Sequence, residues 1–190
     1  MASSPTDAPW PLPELTRARR AIVVVDVVES VRLMQEDEAG FIDRWRRFVN
    51  EVRVDLLPQH GGRMVKSLGD GMLLEFESVR SAVDAGLQLN QHLQAYNIGR
   101  PEADTLHLRT AVHEADILAD EHDVYGTGVN LAARLAALAG PDEVILSSAA
   151  RDALVSDLDV DIEDLGDCYL KHFSEPERAY RAGPLGKRSL

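Results

Sequence analysis

Lys66 and Asp70 stand four residues apart in VKSLGDGMLLEF, residues 65–76, where a nearly continuous apolar run surrounds a Gly-Asp-Gly turn. Valine and leucine alone would build such a hairpin, so two opposite charges there ask for a use. Asp26 raises the same question at the end of AIVVVDVV, residues 21–28, the most apolar strand in the chain. Each carboxylate has a local explanation: Asp26 as a cap or turn for the next segment, Asp70 as ordinary turn chemistry. Together they admit another. If strand 21–28 pairs with the hairpin, both carboxylates reach one edge of the same sheet. Two hard oxygen ligands on rigid backbone, with room left for phosphates and water, suit Mg²⁺ or Mn²⁺.

Asn130 and Arg134 are one helical turn apart in VNLAARLAALA, so they project from one face of a helix that is otherwise almost all alanine and leucine. Asn130 capping the first turn beside a solvated Arg134 is the local reading. The functional one is a polar clamp on a nucleotide, with Arg134 on phosphate oxygens. Histidines 60, 92, 107, 113, 122 and 172 show no paired metal spacing and read as structural or surface residues. No G-x-S-x-G elbow supports a serine nucleophile. Gly126-Thr127-Gly128 is too short a signal for a dinucleotide fingerprint.

The elements that must hold these residues alternate. A central buried strand at 21–28 is followed by a helix carrying Phe41, Ile42, Trp45, Phe48, Val49, Val52 and Leu56 at helical spacing, stopped by Pro58 and Gly61-Gly62. The hairpin from Arg63 to Phe76 comes next, then an amphipathic helix from about Val79 to Tyr96. LHLRTAVHEADIL (106–118) alternates as a strand; EVILSS is a short strand and ARDALVSDL a short helix. DIEDLGDCYLKHFSEPERAYRA reads as a closing hairpin. The expectation is α/β, with helices covering a mostly antiparallel sheet. Residues 1–19 are expected to form an extended or disordered arm, 20–182 one domain, and 183–190 a tail.

A length of 190 residues with 45% apolar and 27% charged content is ordinary for a single water-soluble domain. The apolar runs are too short for a membrane span, and the N-terminus lacks a signal-peptide core. One cysteine, Cys168, fits a reducing cytoplasm. The formal charge of −12 argues against nucleic acid as a partner. The one dense basic cluster, RARR at 17–20, is expected as a solvated flank.

In order, VVVDVVES (23–30), GGRMVKSLGDGMLLEF (61–76), LRTAVH (108–113), DVYGTGVNLAARL (123–135) and YLKHFSEPERAY resemble the catalytic domain of the class III nucleotidyl cyclases. The resemblance covers about residues 20 to 182 and implies a ferredoxin-like βαββαβ core acting as a head-to-tail homodimer. It implies two metal ions per site, Mg²⁺ or Mn²⁺, on Asp26, Asp70 and the backbone carbonyl of Val27. Lys66 and Asp123 match the pair that reads the purine, and a lysine with an aspartate complements adenine's N1 acceptor and N6 donor. ATP is therefore the substrate expected, with cyclic AMP and pyrophosphate as products. Asn130 matches the residue that orients the ribose, Arg134 the one that meets charge at the α-phosphate, and Lys171 a lysine on the β- and γ-phosphates.

This chain departs from the family pattern where Glu29 replaces a glycine and Val31 a frequent threonine, and where Ala111-Val112-His113-Glu114-Ala115 loses both glycines of G-x-H-x-G. These changes are expected to bear on the phosphate loop and the rate. They motivate two alternatives: a cyclase-like module that binds nucleotide without turnover, and a cyclase of another base. A polymerase-palm-like protein shares the two-carboxylate logic, but the acidic charge opposes it.

Overall fold

Ala21, Ile22, Val23, Val24 and Val25 are buried on both faces and form the middle of β1 (Thr16–Val27), the central strand of an eight-stranded sheet. This computed structural model describes residues 13–154 and 160–184. After β1 come α1 (Ser30–Glu51), a π-type turn at Val52–Leu56 and α2 (Leu57–Gln59). The hairpin β2 (Gly62–Ser67) and β3 (Gly71–Phe76) leads to α3 (Val79–Asn97) and β4 (Leu108–Ala119). Beyond these lie β5 (Val124–Tyr125), α4 (Thr127–Ala136), β6 (Glu143–Ser147), α5 (Ser148–Ala153), β7 (Val160–Cys168) and β8 (Glu177–Pro184).

The strand order β2-β3-β1-β4-β6-β8-β7, with β5 on β4, contains the expected βαββαβ core in its first four strands. Pairing is antiparallel except between β4 and β6. Alternate β1 residues feed two cores. Ala21, Val23, Val25 and Val27 pack with Phe41, Trp45, Phe48, Leu89 and Leu93 of α1 and α3. Ile22 and Val24 face Ala132, Leu135 and Ala136 of α4 on the other side. Asp26 continues that second alternation and so emerges on the α4 face, at the strand's end.

Most boundaries move by no more than three residues, residues 155–158 of the expected short helix lie outside the described residues, and three differences change the reading. β1 begins at Thr16, so the RARR cluster is strand and not a solvated flank: Arg19 pairs with Glu114 at 2.6 Å and Arg20 with Glu75 at 3.1 Å. Cross-strand register with β4 extends the strand that far, a long-range cause invisible locally. Helix α1 starts at Ser30, ahead of the apolar pattern, and breaks at Asp37 (φ −153°, ψ 83°), whose carboxylate accepts the Gly40 N–H at 3.0 Å. β8 runs through Pro184, two residues into the stretch expected as tail; residues 185–190 lie outside the described residues.

Both outer strands carry a register shift, between Met64 and Lys66 in β2 and between Asp164 and Gly166 in β7.

Candidate active site

Asp26 and Asp70 meet because β1 and β3 pair in register, Asp26 opposite Gly71, while the Val27 N–H donates to the Asp70 carbonyl at 3.0 Å. The approach is close enough that a Cβ on Gly71 would lie 2.6 Å from the Val25 carbonyl oxygen, which makes glycine obligatory after Asp70. Neither carboxylate is idle. Asp26 is paired with Arg109, its register partner on β4, and Asp70 accepts a hydrogen bond from the Ser30 hydroxyl. Burial pushes the Asp26 carboxyl above its ordinary value; Arg109 offsets this and the nearby charge of Asp70 adds to it. Two carboxylates sharing one strand end, one of them reluctant to hold its charge, form a donor set that fits a hard divalent cation. Among the described residues no cluster of three or more His, Cys, Asp or Glu could hold a metal alone, so a bound ion must take further oxygens from elsewhere.

Lys66 reaches Asp123 although 57 residues separate them: its Nζ lies 2.7 Å from the Asp123 Oδ2. The register shift in β2 makes this possible. Met64 pairs with Leu74, which faces the α1/α3 core, whereas Lys66 pairs with Leu73, which faces the α4 side. Without the extra residue, Lys66 would point to the opposite face. Burial works against ionised Asp123, but the Lys66 ammonium and the Val124 N–H hold its carboxyl below the ordinary value.

Asn130, Arg134 and Lys171 line one cleft of about 520 Å³, with Thr127, His172 and Phe173. Asn130 is not a cap: α4 begins at Thr127, its N-cap is Gly126, and no side chain caps it. Among the described residues neither Arg134 nor Lys171 has an ion-pair partner. Neither Asp26 nor Asp70 lines this cleft.

The departures from the family pattern have visible accommodations. Glu29 sits at φ 54°, ψ 30°, the left-handed region that glycine enters freely. Its carboxylate turns outward to Arg32 at 2.9 Å, and Arg32 also holds Glu36, so this negative charge is carried away from the strand end. Ala115 packs against Gly128 of α4. A Cβ at 128 would lie 2.3 Å from the Ala115 Cβ, so the methyl gained on β4 is matched by one absent from α4. His113 lies beneath the same turn, buried, with its Nδ1 2.8 Å from the Ser147 Oγ. It is structural, as expected.

Sequence reasoning passed over Arg109 and Ser30. The signal for Arg109 is its register partner, which only the paired sheet supplies; Ser30 follows Asp26 closely enough to have been asked about.

The profile of the adenylate and guanylate cyclase catalytic domain matches residues 18–181. A putative adenylate cyclase 3 of Rhizobium meliloti is 34% identical over 90% of this chain and 29% of its own length. An adenylate cyclase of Streptomyces coelicolor is 31% identical over 75% of this chain and 36% of its own. The chain thus spans about a third of these relatives. The crystal structure of an adenylate/guanylate cyclase/hydrolase from Silicibacter pomeroyi superposes with a TM-score of 0.79 at 28% identity, covering 90% of this chain and 99% of that one. With the βαββαβ core in place and the profile matched over residues 18–181, the chain belongs to the adenylate and guanylate cyclase catalytic-domain family.

Proposed function

We propose that the domain converts ATP to 3′,5′-cyclic AMP and pyrophosphate at sites shared between two copies of the chain. The observation that carries the reading is the Lys66–Asp123 contact at 2.7 Å. It presents an ammonium donor and a carboxylate acceptor side by side, the complement of adenine N1 and the N6 amino group. Guanine, with an oxo group and an N–H in those places, would meet like with like at both.

Asp26, Asp70 and the Val27 carbonyl would hold Mg²⁺ or Mn²⁺, two ions per site. Bound there, the ions would lower the pKa of the ribose 3′-hydroxyl and neutralise the triphosphate. Arg109, beside Asp26, would offer a cation to phosphates at that strand end. Asn130 orients the ribose, Arg134 meets the charge growing at the α-phosphate, and Lys171 holds the distal phosphates. Such catalysis is positioning plus charge stabilisation, and needs no protein nucleophile. The carboxylates and the Arg134 cleft lie apart within one chain, which supports their serving different sites of a head-to-tail dimer.

The test is incubation with ATP, GTP, CTP or UTP plus Mn²⁺, then Mg²⁺, with products identified by mass spectrometry. Cyclic AMP from ATP alone is expected; a cyclic product from another base in preference overturns the Lys66/Asp123 assignment. A second reading, a module that binds nucleotide without turnover, draws on Arg109 seated on Asp26. Saturable ATP binding with no cyclic product at any metal concentration would favour it.

A further inference from the structure

Two clefts among the described residues are lined by cations that make no ion pair with a carboxylate. One holds Arg134 and Lys171. The other, of about 580 Å³, lies between α1 and the β2–β3 turn and is lined by Trp45, Arg46, Asn50, Arg53, Ser67 and Gly69, among others. Arg46, Asn50 and Arg53 follow the i, i+4, i+7 spacing of one helix face. Arg47, also on the cleft, is neutralised by Asp43 at 2.9 Å. Arg46 makes no hydrogen bond or ion pair among the described residues, although after Arg47 its charge helps hold the Asp43 carboxyl below its ordinary value, and the only acceptor Arg53 finds is the Met64 sulfur at 3.2 Å, a weak one. Trp45 adds a second observation: it is 3% exposed, and its indole Nε1 is buried without an acceptor.

The Arg46 and Arg53 guanidiniums, the Asn50 amide and the Ser67 hydroxyl share the cleft with one carboxylate, Asp43, which Arg47 already engages, so donors outnumber acceptors. Guanidinium forks suit phosphate oxygens, and the cleft has the volume of a small molecule rather than the length of a peptide groove. We propose that this cleft is a second anion site, separate from the catalytic one, that takes a phosphate-bearing small molecule. The proposal does not depend on the base preference or the turnover argued above. Its position is consequential: Gly69 lines the cleft and the next residue is Asp70, so an occupant touches the turn that holds a catalytic carboxylate.

The chain has two tryptophans, so Trp10→Phe leaves Trp45 as the sole reporter. In that background the full chain is titrated with inorganic pyrophosphate, without divalent metal, following Trp45 fluorescence. A saturable change is expected, at least about tenfold weaker in Arg46→Ala/Arg53→Ala and unchanged in Arg134→Ala/Lys171→Ala. Arg53→Glu alone, at an exposed position, should weaken it similarly, and unchanged thermal midpoints would show that the variants fold. The proposal is overturned by no saturable change up to about 10 mM. A change that persists undiminished without Arg46 and Arg53, or vanishes with Arg134 and Lys171, overturns it too. Binding of an oligoglutamate peptide in place of pyrophosphate would assign the cleft to an acidic protein and equally end it.

Discussion

The end of β1 and the cleft beside α4 hold their charged residues in opposite conditions. At the strand end every functional group is already engaged: Asp26 with Arg109, Asp70 with the Ser30 hydroxyl. At the cleft beside α4, Arg134 of that helix and Lys171 from beyond β7 have no ion-pair partner among the described residues. The reason lies in burial. A carboxylate at a half-buried strand end is costly unless paired, and the fold supplies Asp26 with Arg109 as that partner. Arginine and lysine are tolerated at a solvated cleft without a carboxylate partner. If the proposed function holds, a ligand at the first half has to compete with an existing partner, and one at the second does not.

Substitutions separate the two conditions. Asp70→Asn should remove metal-dependent turnover by at least about 10³-fold while the Ser30 contact and the thermal midpoint survive. Activity retained in that variant would break the assignment of the engaged half. Arg134→Ala should lower kcat by about 10²–10³-fold with a smaller change in KM, since its charge is needed most as the α-phosphate reacts. An effect confined to KM would make α4 a binding face only. A third change tests the seat of the open half. Gly128→Ala forces a methyl onto the Ala115 Cβ and should cost about 1–3 kcal/mol, a fall of several degrees in Tm. Adding Ala115→Gly should restore most of it, and a double-mutant cycle with no coupling would refute the contact.

The smallest effect expected is the pH dependence of that seat. Burial holds the His113 imidazole below its ordinary 6.5, against the opposing pull of Glu177 and Glu114, while Arg19 adds to the lowering. Below that ordinary value the unfolded chain takes up a proton that the folded one refuses, so stability falls as pH drops. The slope from one group is at most about 1.4 kcal/mol per pH unit. Chemical denaturation of His113→Gln should show a shallower loss between neutral pH and about pH 5.5 than the parent. Equal slopes would move the titration elsewhere.

How far the sequence carried the structure depended on the range of the cause. β1, the hairpin, α3, β4, α4 and β6 were legible because period and turn residues are local. The break at Asp37 was not, since the apolar pattern of α1 starts only beyond it. Asp26 and Asp70 could be nominated from residue type, and the sheet brings them together. Arg109 could not, because on an alternating strand it looks like any outward charge until register sets it beside Asp26. The aim of Lys66 was hidden as well. Resemblance named its role, but the register shift after Met64 decides which face of the sheet it serves.

The same irregularity recurs at the far side of the sheet. With β2 and β7 as its outermost strands and both out of step with their neighbours, the sheet ends on two crooked borders. A straight border would invite another chain to continue the hydrogen-bond ladder; these do not. Growth by adding strands is thereby discouraged at both ends. Under the dimer proposed above, a second copy would meet this one through side chains on its faces, and a finite pair would form in place of a fibre.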